Sequence, residues 1–214
     1  MKIKSFKNLR LKINPYQILI FDLDNTIYDQ NDYDFPAIKK VSIYLSRKIN
    51  EKQNKIFEKL IKLKKKKNIL IFNKFLKNYN LSDHYSSNLI KQSIKIFQNY
   101  RCKELNRSVS LYPLLKSIHK KKKIYLVTNG NNTRQNNKIK FLKIRKFFRK
   151  IYILDGIRKE LKPSIKSVDY IQNLILKNGL KNAVFIGDNK SIDRNFAKNL
   201  KITFINFNFQ KFHY

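Results

Sequence analysis

Apolar residues along this chain follow two different periods in turn, and their alternation predicts an α/β fold. Short continuous runs, Ile18-Leu19-Ile20-Phe21, Lys123-Ile124-Tyr125-Leu126-Val127, residues 151–154, Ala183-Val184-Phe185-Ile186 and residues 202–205, lack helical spacing and stop at polar clusters. Runs of that kind read as strands of a parallel sheet buried on both faces. Between them, residues 111–120, 134–148, 164–177 and 192–199 carry apolar positions at helical spacing. Strands separated by helices argue for a doubly wound, Rossmann-like parallel sheet.

The alternation breaks once, between the first two strands. Roughly 80 residues intervene where a crossover needs about a dozen. The pattern there is helical throughout. Pro36 follows Asp34 near a helix start, Val41, Tyr44, Leu45 and Ile49 keep helical spacing, and further helical stretches follow at 51–65, 69–78 and 82–100. The chain is thus expected to divide into a catalytic core of residues 1–30 and 107–214 and an inserted α-helical domain of residues 31–106.

Composition sharpens this picture in four respects. With 214 residues, 42% of them hydrophobic and 13% aromatic, the chain can bury a core of ordinary size. Its single cysteine, Cys102, excludes an intramolecular disulfide or a multi-cysteine zinc site and reads as a packed small residue. No run of about 18 apolar residues suggests a membrane span, so a soluble, cytoplasmic protein is expected.

Charge is the fourth. Lys and Arg number 48 against 14 acids, a formal net charge of +34. Such a balance raises nucleic acid as a partner. The lysines are spread over nearly every polar face, however, with local runs at 64–67 and 120–123, and Asn, Ile, Phe and Tyr are enriched alongside them. Codon bias of an AT-rich genome leaves that joint signature. No element for base readout accompanies the charge, so a polyanion-binding role stands as the less favoured alternative.

Candidate chemistry gathers at the strand ends. The first strand runs into Asp22-Leu23-Asp24-Asn25-Thr26, and residues two apart in a strand point the same way. Asp22 and Asp24 are therefore expected in one pocket at the carboxyl edge, where open α/β sheets bind ligands. The second strand ends in Thr128-Asn129-Gly130, a hydroxyl, an amide and a permissive backbone suited to phosphate oxygens. Lys162-Pro163 lies between the third strand and its helix, with Pro163 expected in the first helical turn. The fourth strand runs into Gly187-Asp188-Asn189, and Asp193 follows five residues after Asp188. Carboxylates about 4 Å apart repel by about 4 kcal/mol at an effective dielectric near 20, so such a cluster needs a cation. Oxygen-only ligation with positions open for water and phosphate suits Mg²⁺.

In order and spacing, these four segments resemble the haloacid dehalogenase-like hydrolase superfamily across nearly the whole chain. The resemblance implies that Asp22 is the nucleophile, Asp24 the general acid/base, Thr128 with Asn129 the phosphate-binding pair, Lys162 the charge-neutralising lysine, and Asp22, Asp24 (through its backbone carbonyl) and Asp188 the metal ligands, supported by Asp193. It implies a helical cap in residues 31–106 and hydrolysis of a small phosphomonoester through an aspartyl-phosphate. Dehalogenases of the superfamily need neither the second aspartate nor a metal, so Asp24 with Asp188 argues for phosphate chemistry; a phosphomutase or a polynucleotide-end phosphatase stays open. Leu126-Val127-Thr128-Asn129-Gly130 with Gln135 and Lys138 resembles the branch of pyrimidine nucleotidases and acylneuraminate-phosphate phosphatases, near the phosphoglycolate phosphatases. One departure is the bulk of Arg194-Asn195-Phe196-Ala197-Lys198-Asn199, where the family commonly carries small residues.

Overall fold

The computed structural model describes residues 6–66, 70–102 and 110–209. Two compact units emerge, one formed by Met1–Gln30 with Glu104–Tyr214, the other by Asn31–Lys103. The expected boundary at 106/107 lies outside the described residues.

The first unit is built on five parallel strands: β1 (Ile18–Phe21), β2 (Lys123–Asn129), β3 (Lys150–Leu154), β4 (Ala183–Gly187) and β5 (Thr203–Asn206), in the order β3-β2-β1-β4-β5. This is the doubly wound α/β architecture. β1 is central, pairing Phe21 with Leu126 of β2 on one side and with Ile186 of β4 on the other. Winding proceeds outward from β1 to β3, then reverses to β4 and β5. That reversal opens a crevice beyond the carboxyl ends of β1 and β4.

Period-2 alternation fixes which side chains pack on which face. Ile18 and Ile20, Tyr125 and Val127, Tyr152 and Leu154, and Ala183 and Phe185 share one cluster with Ile171 and Ile175 of α8 (Asp169–Asn178) and Phe196 and Ala197 of α9 (Ile192–Asn199). The bulk after Asp193 is thereby explained: Phe196 stacks edge-on against Phe185, ring centroids 5.2 Å apart. Intervening strand residues Leu19, Phe21, Ile124, Leu126, Val184 and Ile186 are equally buried, as a sheet covered on both sides requires.

Three local expectations need correction. The helix expected over 134–148 is α7, Asn132–Leu142; Lys143 takes a left-handed conformation (φ 51°), and a short 3₁₀ turn, Arg145–Phe147, follows. Leu142, Ile144 and Phe147 are all buried, and a continuous helix cannot turn that spacing to one side. The helix expected from 164 begins only at Asp169, so Pro163 is not in its first turn; Ser164 donates its hydroxyl to Glu160 (2.7 Å) and Val168 N–H bonds to Ile165 O (3.1 Å), tight turns that replace the helix start. At the N-terminus, where no element was expected, α1 (Phe6–Ile13) forms with Leu9 and Ile13 buried. α6 (Tyr112–Ile118) leads into β2.

The second unit consists of α2 (Asn31–Ile49), α3 (Gln53–Lys65), α4 (Ile71–Leu76) and α5 (Asp83–Asn99). Ile38, Val41 and Leu45 of α2, Ile56 and Leu60 of α3, Phe72 and Phe75 of α4 and Leu89 of α5 form its own core. Buried Asp34 is paired with Lys64 (3.1 Å), and Cys102 packs as a buried residue. No helix of the described residues is long and apolar enough to cross a membrane.

Candidate active site

Because β1, β2 and β4 run in register, the residues that terminate them converge. Asp22, Asp24, Thr128, Asn129, Lys162, Asp188 and Asp193 line one cavity of about 200 Å³ at the carboxyl edge, together with Asn25, Gln30, Asn189 and Ile192. Its volume lies below the roughly 300–1,000 Å³ of sites for larger ligands. All these residues belong to the first unit.

Lys162 is the pivot of one half of the site. Its Nζ donates to Asp22 Oδ1 (2.6 Å) and Asp193 Oδ1 (2.7 Å) and stands 5.1 Å from the centroid of the Phe185 ring, all three charged side chains being nearly inaccessible. The loop that carries Lys162 is held from below by Asn129. Asn129 Oδ1 accepts the Lys162 N–H (2.9 Å), while Asn129 Nδ2 donates to the Lys162 carbonyl (3.2 Å). The Asn129 side chain thus lines the pocket but is engaged with the Lys162 backbone.

Burial pushes the Asp22 carboxyl up to about 8, Lys162 opposing the shift and Asp193 adding to it. Burial works against the Lys162 ammonium, yet Asp22 and Asp193 outweigh it and hold that group above the ordinary lysine value. Asp188 is raised to about 6 by burial first and by the charge of Asp193 next.

Asp193 owes its place to a glycine. Its Oδ2 accepts the Asn189 N–H (3.0 Å) in the first turn of α9, and the side chain lies directly over Gly187, where any Cβ would stand 2.4 Å from that oxygen. One carboxylate oxygen from each of Asp22, Asp188 and Asp193 falls within 4.8 Å of the others. The donor set is all oxygen and all acidic, three carboxylates set against the single ammonium of Lys162. These residues fit a hard divalent cation. Asp193, expected in support, contributes a carboxylate oxygen to the trio, whereas the ligation expected of Asp24 concerns its backbone carbonyl and leaves its side chain free to face elsewhere.

The Asp24 carboxylate faces a different partner. Lys138 is completely buried, and its Nζ donates to both Asp24 oxygens, at 2.7 and 2.8 Å. Tyr28 donates its hydroxyl to Oδ1 (2.7 Å), and Gln135 Nε2 donates to Oδ2 (3.0 Å). Burial alone would raise the Asp24 carboxyl, but the charges of Lys138 and Arg134 and the hydrogen bonds from Lys138 and Tyr28 prevail and hold it at about 2. Removing one partner of such a buried pair costs about 3–5 kcal/mol. Gln135 Nε2 also donates to Thr128 Oγ1 (2.8 Å) and the Asn129 carbonyl (3.1 Å), which leaves the Thr128 hydroxyl hydrogen to point at an anion. Beside it, Gly130 at φ 141° takes a backbone conformation that side-chain-bearing residues rarely adopt.

Gln135 and Lys138, which in the sequence carry only a resemblance to one branch, and Tyr28, which carries none, thus join the site. A signal for the first two exists: Gln135, Lys138, Ile139 and Leu142 form the buried stripe of α7 at i, i+3, i+4 and i+7. An amide and an ammonium on the core-facing side of a helix demand buried partners.

A sequence model of haloacid dehalogenase-like hydrolases matches residues 19–207. No curated protein sequence matches. Among solved structures, the chain is similar to a HAD-hydrolase, YfnB, of Bacillus subtilis bound to magnesium (TM-score 0.60, 19% identity, covering 88% of this chain and 85% of that one). It is also similar to a HAD-superfamily hydrolase of subfamily IA, variant 1, from Geobacter sulfurreducens (TM-score 0.65, 12% identity, 90% and 87% covered). A third similar structure is a 2-haloacid dehalogenase from Pseudomonas syringae (TM-score 0.54, 16% identity, 89% and 86% covered). At these identities the likeness is one of fold.

Proposed function

The chain belongs to the haloacid dehalogenase-like hydrolases, and from that premise we propose that it is a Mg²⁺-dependent phosphatase acting on a small phosphomonoester through an aspartyl-phosphate. The observation that carries this reading is the convergence of Asp22, Asp188 and Asp193 on one point beside the buried Lys162. Carbon–halogen chemistry gives no reason to assemble three carboxylates at the nucleophile. Phosphoryl transfer does, because the transferred group brings negative charge that must be balanced.

Asp22, Asp188 and Asp193 would hold Mg²⁺, which when bound withdraws charge from the phosphoryl oxygens and fixes their orientation. Lys162, bonded to Asp22 and Asp193, would neutralise the same charge, and the Thr128 hydroxyl would donate to a phosphoryl oxygen. In the first half-reaction an Asp22 oxygen forms a bond to phosphorus, the ester P–O bond breaks, and the leaving oxygen takes a proton from Asp24. An arriving phosphate places negative charge beside Asp24 and raises its proton affinity, so protonated Asp24 belongs to the loaded site. In the second half, water attacks phosphorus, the bond to Asp22 breaks, and the proton released by water passes to Asp24. Ester and water become alcohol and inorganic phosphate. The helical unit is assigned the role of substrate-selecting cap.

Phosphate release from a panel of sugar phosphates, nucleotides and phosphoglycolate with Mg²⁺ tests this reading, with Asp22→Asn as control. Turnover that disappears in the variant is expected. Halide release from 2-haloacids without phosphate release, or full activity of Asp22→Asn, would defeat it.

A further inference from the structure

We propose that Lys138 is the positioning residue for the general acid/base, anchoring the Asp24 carboxylate from within the core while Gln135 serves as the donor that lets go when Asp24 turns to its substrate. The inference rests on the phosphatase reading.

The geometry separates the two residues. Asp24 receives four hydrogen bonds, two on each oxygen: Lys138 and Tyr28 on Oδ1, Lys138 and Gln135 on Oδ2. Two oxygens offer about four lone-pair sites, so the carboxylate is saturated. It can exchange a proton with a leaving oxygen or a water only if one donor withdraws. Lys138 is a poor candidate for withdrawal. Its side chain is wholly buried and it bridges both oxygens, so moving it would break two charge-assisted bonds at once. Gln135 is the better one. Its Nε2 carries two hydrogens but faces three acceptors, Asp24 Oδ2, Thr128 Oγ1 and the Asn129 carbonyl, so one contact is always in surplus. Releasing Asp24 leaves Gln135 still bonded to the two groups of β2. One turn of α7 thus supplies a fixed anchor at Lys138 and an exchangeable contact at Gln135, three residues apart on the same buried face.

A residue that positions an acid/base has a kinetic signature that a merely structural one lacks. The value of kcat/KM reports on transfer to Asp22, a step that needs a proton when the leaving group is an alkoxide and hardly needs one when it is 4-nitrophenolate. With Mg²⁺ saturating, Lys138→Met should lower kcat/KM about 100-fold for an alkyl phosphate and less than tenfold for 4-nitrophenyl phosphate. In the Asp24→Asn background it should cause little additional loss, because Lys138 acts through Asp24. Gln135→Met should lower kcat/KM on the alkyl ester more than on the aryl ester and, like Lys138→Met, cause little additional selective loss in the Asp24→Asn background; it decides the matter if Lys138→Met fails to fold, since a leaving-group-selective loss supports the arrangement and an equal loss on both esters overturns it. Equal losses for Lys138→Met, or full additivity with Asp24→Asn, would likewise sink the positioning role while leaving the phosphatase intact. A wild-type protein inactive on both esters would instead bring down the phosphatase reading, and this inference with it.

Discussion

Asp193 lies across Gly187 so closely that its Oδ2 occupies the space any side chain at 187 would need. A strand end and a helix start are locked together there, and the lock sets one of the three converging carboxylates. Gly187→Ala is expected to push Asp193 aside and weaken divalent-cation binding by roughly 10- to 100-fold, the usual effect of disturbing a ligand's support. Isothermal titration with Mg²⁺ checks this. Unchanged affinity would remove Asp193 from the ligand set.

Cation binding should depend on pH with a defined sign. In the cation-free site Asp22 titrates at about 8 and Asp188 at about 6. A cation binds the carboxylates, so below those values protons must leave first, and apparent affinity should rise between pH 5 and 8 by up to about tenfold per pH unit for each proton displaced. The same shifts mean that the cation-free fold binds more protons than the unfolded chain, so their contribution to stability is lost as pH climbs from about 4 to 8. Titrations in buffers of different ionisation enthalpy would count the protons released. A flat profile would mean that the acids are already ionised.

Lys162 is the ammonium buried between Asp22 and Asp193. Lys162→Met should reduce phosphate release by about 100- to 1,000-fold, the effect of losing one charge-stabilising donor. It should also destabilise the cation-free protein by about 3–5 kcal/mol near pH 8. That deficit should shrink toward pH 5, where the stranded Asp22 carboxyl protonates. Thermal melts at both pH values measure it, and a pH-independent deficit would mean that packing rather than charge is lost.

The net charge of +34 makes a separate prediction. Spread over polar faces without a readout element, it should give weak retention of single-stranded RNA at low salt that vanishes steeply toward physiological ionic strength. Mononucleotides and oligonucleotide ends should then be hydrolysed with similar kcat/KM. A marked preference for long strands would favour a polynucleotide-end phosphatase instead.

Strand runs, turn residues and the spacing of Asp22, Asp24, Thr128, Lys162 and Asp188 were legible in the chain because each is a local property. A parallel strand buried on both faces must be continuously apolar, and it must end where the chain turns toward solvent. Helix limits were less legible. At 142–147 and 164–168, tertiary burial of Ile144 and Phe147 and side-chain bonds from Ser164 overrode the local pattern. Only the folded chain could separate the two aspartates. Two residues apart, with the same chemistry and the same strand end, Asp22 is raised to about 8 and Asp24 lowered to about 2. The difference comes from what stands opposite each: for Asp22, a cluster of acids sharing Lys162; for Asp24, the charges of Lys138, 114 residues along the chain, and Arg134. Sequence by itself brought Asp22, Asp24, Thr128, Asn129, Lys162, Asp188 and Asp193 to the strand ends that line the pocket. Tertiary structure decided which of them carry charge there, because a carboxylate's proton affinity depends on burial and on neighbours that local spacing does not encode.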